Sequence, residues 1–182
     1  MCYSGSMRLF IAVPIPDYVR THLREAVAHF RDSIRSAPSE ESWHVTLIFL
    51  GTMEEAAALT EHLSEMSEVL PKLFMPTVTL THAGRGKASG QLWAYAQPAG
   101  PLMDVQIKLR EEVARRVPVT AERRAFVPHI RLAHLQPAAE KNALADLPLS
   151  VSFVAREAQL WRSDLSEGQP RYETMGVIPL AA

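Results

Sequence analysis

Two short segments of the chain place a histidine at the head of an apolar run: His44-Val45-Thr46-Leu47 and His129-Ile130-Arg131-Leu132. In a strand, residues i and i+2 share a face. His44 then lies beside Thr46 and His129 beside Arg131, while Val45, Leu47, Ile130 and Leu132 point into the opposite layer. Two imidazoles, a hydroxyl and a guanidinium converging on one cleft suit an anionic substrate with one atom to protonate and another to deprotonate. A phosphodiester meets that description. One imidazole, neutral, can take a proton from water; the other, protonated, can donate to a departing ribose oxygen. Histidine suits both tasks because its unperturbed pKa of about 6.5 lies near neutrality. The Thr46 hydroxyl and the Arg131 fork can hold non-bridging phosphate oxygens as charge develops. The arrangement calls for no cofactor and no metal, and neither histidine has Asp or Glu at ligand spacing beside it.

The elements that must position these residues follow from periodicity. Arg8 to Val13 is an apolar run closed by Pro14 and Pro16, a strand entering a turn. Asp17 opens a helix whose stripe is Val19, Leu23, Val27, Phe30 and Ile34. Ser36 to Ser42 reads as a loop, and His44 to Leu50 as a buried strand ended by Gly51. Thr52 and Glu55 form a capping-box pattern before a helix carrying Leu59, Leu63, Met66 and Leu70, which stops at Pro71. Further strands are expected at Phe74 to Thr81 and Gln91 to Gln97, separated by a basic loop from Gly84 to Gly90. Gly100-Pro101 opens a helix that buries Leu102, Val105, Leu109, Val113 and Val117. His129 to Leu135 is a strand; Ala138 to Pro148 is a short helix or a loop. Val151 to Trp161 and Arg171 to Leu180 are two more strands around a Ser163 to Pro170 turn.

Strand, helix, then a strand headed by histidine occurs twice. Leu9 to His44 is 35 residues and Leu92 to His129 is 37. This suggests a duplicated unit with two similar lobes facing one another.

The 182 residues carry 19 Lys plus Arg against 20 Asp plus Glu, with 47% hydrophobic residues. That composition excludes wholesale disorder and argues against bulk electrostatic coating of nucleic acid, while leaving room for a locally basic cleft. The single cysteine, Cys2, allows no intrachain disulfide. No apolar run approaches the roughly 20 residues that span a bilayer, so no membrane partner is expected and the chain reads as cytoplasmic. Residues 1–6 read as a tag or disordered tail, with Gly5-Ser6-Met7 resembling a cloning junction, and 7–182 as one bilobal domain.

The chain resembles the 2H phosphoesterases, most closely the bacterial RNA 2′,3′-cyclic phosphodiesterases, also called 2′-5′ RNA ligases. His44-Val45-Thr46-Leu47, within H-V-T-L-I-F-L-G, matches the first family motif, and Phe126 to Leu132 (F-V-P-H-I-R-L) resembles the second, usually F-x-P-H-x-T-L. The opening R-L-F-I-A-V-P-I-P and the closing Leu160, Ser163, Leu165, Gly168 and Tyr172 also look like the family. The resemblance implies an α+β, bilobal, pseudo-twofold fold with two antiparallel sheets lining a central cleft and helices packed outside. It implies hydrolysis of a terminal 2′,3′-cyclic phosphate on RNA to a 2′-phosphomonoester, with reverse ligation by microscopic reversibility. His44 would be the proton donor and His129 the proton acceptor. The partners implied are RNA ends or small cyclic nucleotides, and the protein would act as a monomer. Two departures stand out: Arg131 replaces Thr or Ser, and His134 replaces an Arg common after the motif.

Other residues carry weaker signals. Phe49, Trp93 and Trp161 could stack on bases, although core packing is the commoner fate and is expected for Trp93. Arg85 and Lys87 could touch an RNA backbone if their loop borders the cleft; G-R-G-K lacks the order of a P-loop. His22, His29 and His62 fall on helices, His82 lies near the basic loop, and His134 has the wrong parity to face the cleft with His129. The pairs Glu54-Glu55 and Glu111-Glu112 fit exposed helix faces. Besides turnover of an RNA end, two readings stay open: a different small cyclic phosphate as substrate, or an RNA-end binder without turnover in which Arg131 grips phosphate.

Overall fold

The computed structural model describes residues 8–51, 75–87, 90–97, 100–116, 125–141, 144–164 and 171–180. The expected tail, the capping box with its helix up to Pro71, the Glu54-Glu55 pair, His62, Leu165 and Gly168 lie outside these residues. The described elements are β1 (Arg8–Pro14), α1 (Asp17–His29), β2 (Ile34–Ser36), β3 (His44–Gly51), β4 (Thr77–Arg85), β5 (Gln91–Ala96), α2 (Pro101–Arg116), β6 (His129–Leu135), α3 (Pro137–Lys141), β7 (Leu147–Val154), β8 (Glu157–Asp164) and β9 (Arg171–Pro179).

The strands lie in the order β7-β4-β5-β6-β3-β1-β8-β9, with β2 paired to β6. Every pairing is antiparallel. The two halves meet at a seam where β3 and β6 share a single register pair, Val45 with Ile130, both fully buried. On one side β1 and β3 are neighbours flanking α1 in sequence; on the other β5 and β6 are neighbours flanking α2. The duplicated strand–helix–strand unit is therefore real, and the seam sets its two histidine strands side by side.

The helices bind the halves together. α1 packs on β6 and β7, strands of the other half, and the Tyr18 hydroxyl donates to the Ser152 carbonyl in β7 at 3.0 Å. α2 packs on β4 and crosses the seam to β3, where the Gln106 side chain donates to the Leu47 carbonyl at 3.4 Å. Between helices and sheet lies one apolar core that includes Leu9, Ile11, Val13, Leu23, Val45, Leu47, Leu109, Ile130 and Leu132. The opposite face of β1 buries Phe10 and Ala12 against Trp161. Burial on both faces explains why β1 reads as a continuous apolar run. Among the described residues no helix is long and apolar enough to cross a membrane.

Several expected boundaries move for identifiable reasons. α1 stops at His29, and Ile34 falls in β2 against Leu135 instead of closing the helical stripe. The expected strand from Val151 to Trp161 is two strands, because the buried positions shift phase between Val151, Phe153, Ala155 and Ala158, Leu160. β4 runs on to Arg85, absorbing Gly84 from the expected loop: Gly84 pairs with Trp93, and a Cβ there would lie 2.0 Å from Asp146 Oδ1. Gly100, at φ +106°, makes the turn into α2.

Candidate active site

β3 and β6 share more than their leading histidine. In β1–β3 the register steps from Ile11/Ile48 to Ala12/Thr46, leaving Leu47 as an extra residue. In β5–β6 it steps from Leu92/Ala133 to Trp93/Arg131, leaving Leu132 extra at the equivalent place. A bulge of this kind shifts the alternation by one residue. Leu47 and Ile48 are thus both buried, as are Leu132 and Ala133, and the next residues, Phe49 and His134, return to the face of the histidines. His134 consequently shares a face with His129, contrary to the parity expected of a regular strand. Arg131 and Arg35 both lie close enough to His134 to help burial hold its pKa below the ordinary value.

Both leading histidines are anchored in the same way. His44 Nδ1 lies 2.6 Å from the Ser42 carbonyl and His129 Nδ1 lies 2.7 Å from the Val127 carbonyl, each two residues upstream. A carbonyl can only accept, so Nδ1–H donates in each case and Nε2 is left for substrate. Their supports differ. His44 stacks on Phe10 (centroids 4.9 Å apart) and meets Trp161 and Tyr172 edge-on. His129 stacks on the Trp93 indole at 3.5 Å.

The groups also sense one another. Burial pushes His44 down to about 4, against the pull of the Ser42 hydrogen bond, and the positive charges of Arg131 and His129 push the same way. His129 is likewise lowered, first by burial and then by Arg131. Arg131 reaches across the seam and donates to the Tyr172 hydroxyl at 3.3 Å. Tyr172 is raised by burial, opposed by that same arginine. Thr46, half-buried on the His44 face, pairs with Ala12. The structure therefore brings His44, His129, Thr46 and Arg131 to one face at the seam, as their spacing suggested.

The remaining candidates separate. Phe49 is 60% exposed on the histidine side, tilted against Phe10 at 6.0 Å. Arg85 donates to the Ala139 carbonyl of α3, so its guanidinium is already engaged. Lys87 is exposed beyond the end of β4. Trp93 and Trp161 are both buried, yet neither belongs to the main core: they line the histidine face. Of the Glu111-Glu112 pair, Glu112 is buried and bridged by Arg115 and Arg116 rather than exposed. Among the described residues no group of three His, Cys, Asp or Glu could hold a metal ion.

The sequence gives Phe10 no site role, and Tyr172 enters it only as part of the closing family pattern, with no role for its hydroxyl. A signal was available for the tryptophans: Gln-Leu-Trp occurs at 91–93 and again at 159–161. In both, the indole Nε1 donates to the glutamine side chain two residues earlier, at 2.7 and 2.6 Å, fixing each ring on the cleft face.

A duplicated antiparallel α+β fold with one anchored imidazole from each half is the arrangement of the 2H phosphoesterases. Residues 17–167 match the model of the 2′-5′ RNA ligase superfamily, and the chain belongs to that superfamily. It is 27% identical over 183 positions to an RNA 2′,3′-cyclic phosphodiesterase of Geobacillus stearothermophilus, covering 94% of this chain but only 56% of that relative's length. It is 24% identical over 176 positions to a protein of the same name from Thermotoga maritima, covering 93% of each. Among solved structures, Escherichia coli LigT complexed with 3′-AMP superposes with a TM-score of 0.75 at 27% identity, over 97% of this chain and 99% of that one. A Thermus thermophilus protein shares the fold at a TM-score of 0.77 and 24% identity, over 95% and 97% of the two chains.

Proposed function

We propose that this chain hydrolyses the terminal 2′,3′-cyclic phosphate of RNA to a 2′-phosphomonoester by two-histidine general acid–base catalysis. The observation that supports the reading is the matched pair of imidazoles, each committed through Nδ1 to its own chain with Nε2 left for substrate, and both within electrostatic reach of Arg131. His129 takes a proton from water as its oxygen attacks phosphorus. His44 donates a proton to the ribose O3′ as the P–O3′ bond breaks. Thr46 and Arg131 hold the non-bridging oxygens. His44 is neutral in the free protein; the negative charge of the bound phosphate, which is attracted by a cation nearby, favours its protonation. A 5′-hydroxyl in the place of water, giving its proton to His129 as the P–O3′ bond breaks, gives 2′-5′ ligation by the same route. The two imidazoles supply both proton transfers, so the step needs no metal. Phe49, exposed on the histidine face and in ring contact with Phe10, suits the terminal base, and Lys87 the RNA backbone. The protein is proposed to act as a cytoplasmic monomer.

The test is hydrolysis of a short RNA ending in a 2′,3′-cyclic phosphate, in EDTA, with the product resolved. Turnover to the 2′-phosphate supports the reading; a 3′-phosphate product or loss of turnover on chelation overturns it. Binding without turnover is the second reading, favoured by Arg131 in the second motif. It would show as saturable RNA-end binding that survives replacement of both histidines.

Arg131→Thr restores the family's usual residue but removes a cation that Tyr172 holds at the seam. A hydrogen bond to a charged group contributes about 1.5–3 kcal/mol, so KM for the RNA end is expected to rise by roughly tenfold or more, with a smaller change in kcat. Unchanged KM and kcat would remove Arg131 from the phosphate site.

A further inference from the structure

The ring system on the β4–β5–β6 side extends further than the proton transfers require. Tyr95 pairs with His129 across β5 and β6, and Trp93, stacked on His129, lies 5.7 Å from Tyr95. Tyr95 in turn stacks on His82 of β4, with centroids 4.5 Å apart and planes within 13°. Four rings thus run without a break from His129 across three strands, β6, β5 and β4. None of them belongs to the apolar core.

The outer two rings have fixed edges. The Tyr95 hydroxyl donates to the Arg85 carbonyl at 2.6 Å. His82 Nδ1 lies 3.0 Å from Thr81 Oγ1, and its Nε2 lies 3.9 Å from the Asp146 carboxylate. The His82 side chain is nevertheless 35% exposed. The related pair on the other half, Trp161 on Tyr172, is closed over by Phe10, His44 and Arg131. Of these two stacks among the described residues, the His82–Tyr95 pair is the one both held at its edges and open to solvent.

We infer that the His82–Tyr95 stack is a subsite for the nucleobase of the nucleotide upstream of the RNA end. The inference rests on the function proposed above and names the substrate class as an oligonucleotide in preference to a mononucleotide. Base–aromatic stacking uses ring faces, which are what this pair offers, and is tolerant of sequence. Asp146 beside His82 makes a phosphate a poor occupant and an uncharged base a good one. His82 is two strand spacings, about 10 Å, from His129. That lies outside the terminal cyclic phosphate and within the span of the next nucleotide.

The experiment compares kcat/KM for a trinucleotide RNA ending in a 2′,3′-cyclic phosphate with kcat/KM for adenosine 2′,3′-cyclic phosphate, in the parent and in His82→Ala and His82→Phe. The trinucleotide-to-mononucleotide ratio is expected to fall about tenfold in His82→Ala, the scale of one lost base stack, and to be kept in His82→Phe. A ratio unchanged in His82→Ala, or lost equally in His82→Phe, overturns the subsite. Anisotropy with the same trinucleotide carrying a terminal 2′-phosphate answers independently of turnover. Weaker binding to His82→Ala supports the subsite even if the parent proves inactive, and equal binding or none by the parent refutes it.

Discussion

Replacing either His44 or His129 by alanine is expected to lower kcat on a cyclic-phosphate RNA end by about 10²- to 10⁴-fold, the usual worth of one positioned acid or base. The double variant should be little worse than the weaker single one, because donor and acceptor act in one step and their losses do not add. Asparagine is the sharper substitution. It can keep a hydrogen bond to the Ser42 or Val127 carbonyl while removing the titrating nitrogen. The pH dependence follows from the same site. Burial and neighbouring positive charge lower both histidines, His44 to about 4 and His129 below the ordinary 6.5. Productive free enzyme has one imidazole protonated and the other neutral, so kcat/KM should peak between the two lowered values, on the acid side of 6.5. It should fall as pH rises past the higher of the two and the pair loses its last proton. Bound phosphate raises the donor, so the alkaline limb of kcat should lie at higher pH than that of kcat/KM. An optimum in kcat/KM above about 7, or alanine variants within a factor of about three of the parent, would dismiss the two-histidine mechanism.

The repeated unit is legible in the sequence because period-two burial and a polar head residue leave a clear trace: H-V-T-L and H-I-R-L put the candidates His44, Thr46, His129 and Arg131 on the partly buried face of their strands, where the structure has them. What the pattern could not show was the sixth residue of each strand, Phe49 and His134. Parity counts assume a regular strand, and the bulges at Leu47 and Leu132 are invisible in composition because both residues stay buried and apolar. That one-residue step turns His134 from the wrong face to the right one. The partner that holds Arg131 was hidden for a different reason. Tyr172 comes from the last strand, 41 residues on, and reaches the site only because β8 and β9 fold back beside β1. Trp93 is buried, as expected, but outside the main apolar cluster, where it stacks on His129.

The glycine-rich loop packs on Trp93 through Gly86. The Gly86 amide donates to the Gln91 carbonyl at 2.8 Å, which fixes its backbone in the β4–β5 hairpin. A methyl built on Gly86 would lie 2.5 Å from Trp93 Cε2 and 2.6 Å from Nε1. The indole is stacked on His129 on the β6 side and tied through Nε1–H to Gln91, so it has little room to retreat. Gly86→Ala must therefore either open the hairpin or drive the indole toward the imidazole. Overpacking of this kind costs about 1–3 kcal/mol of stability, and a displacement near 1 Å at a catalytic group can cost about 100-fold in rate. The expected outcome is a folded protein with a lowered Tm and kcat reduced by about 10- to 100-fold. Adding Trp93→Leu to Gly86→Ala makes room for the methyl. It should recover part of the lost stability without recovering kcat, since His129 then has no ring beneath it. Recovery of kcat along with stability would mean that the indole only fills space. In that case His129 would be held in place by the Val127 hydrogen bond alone.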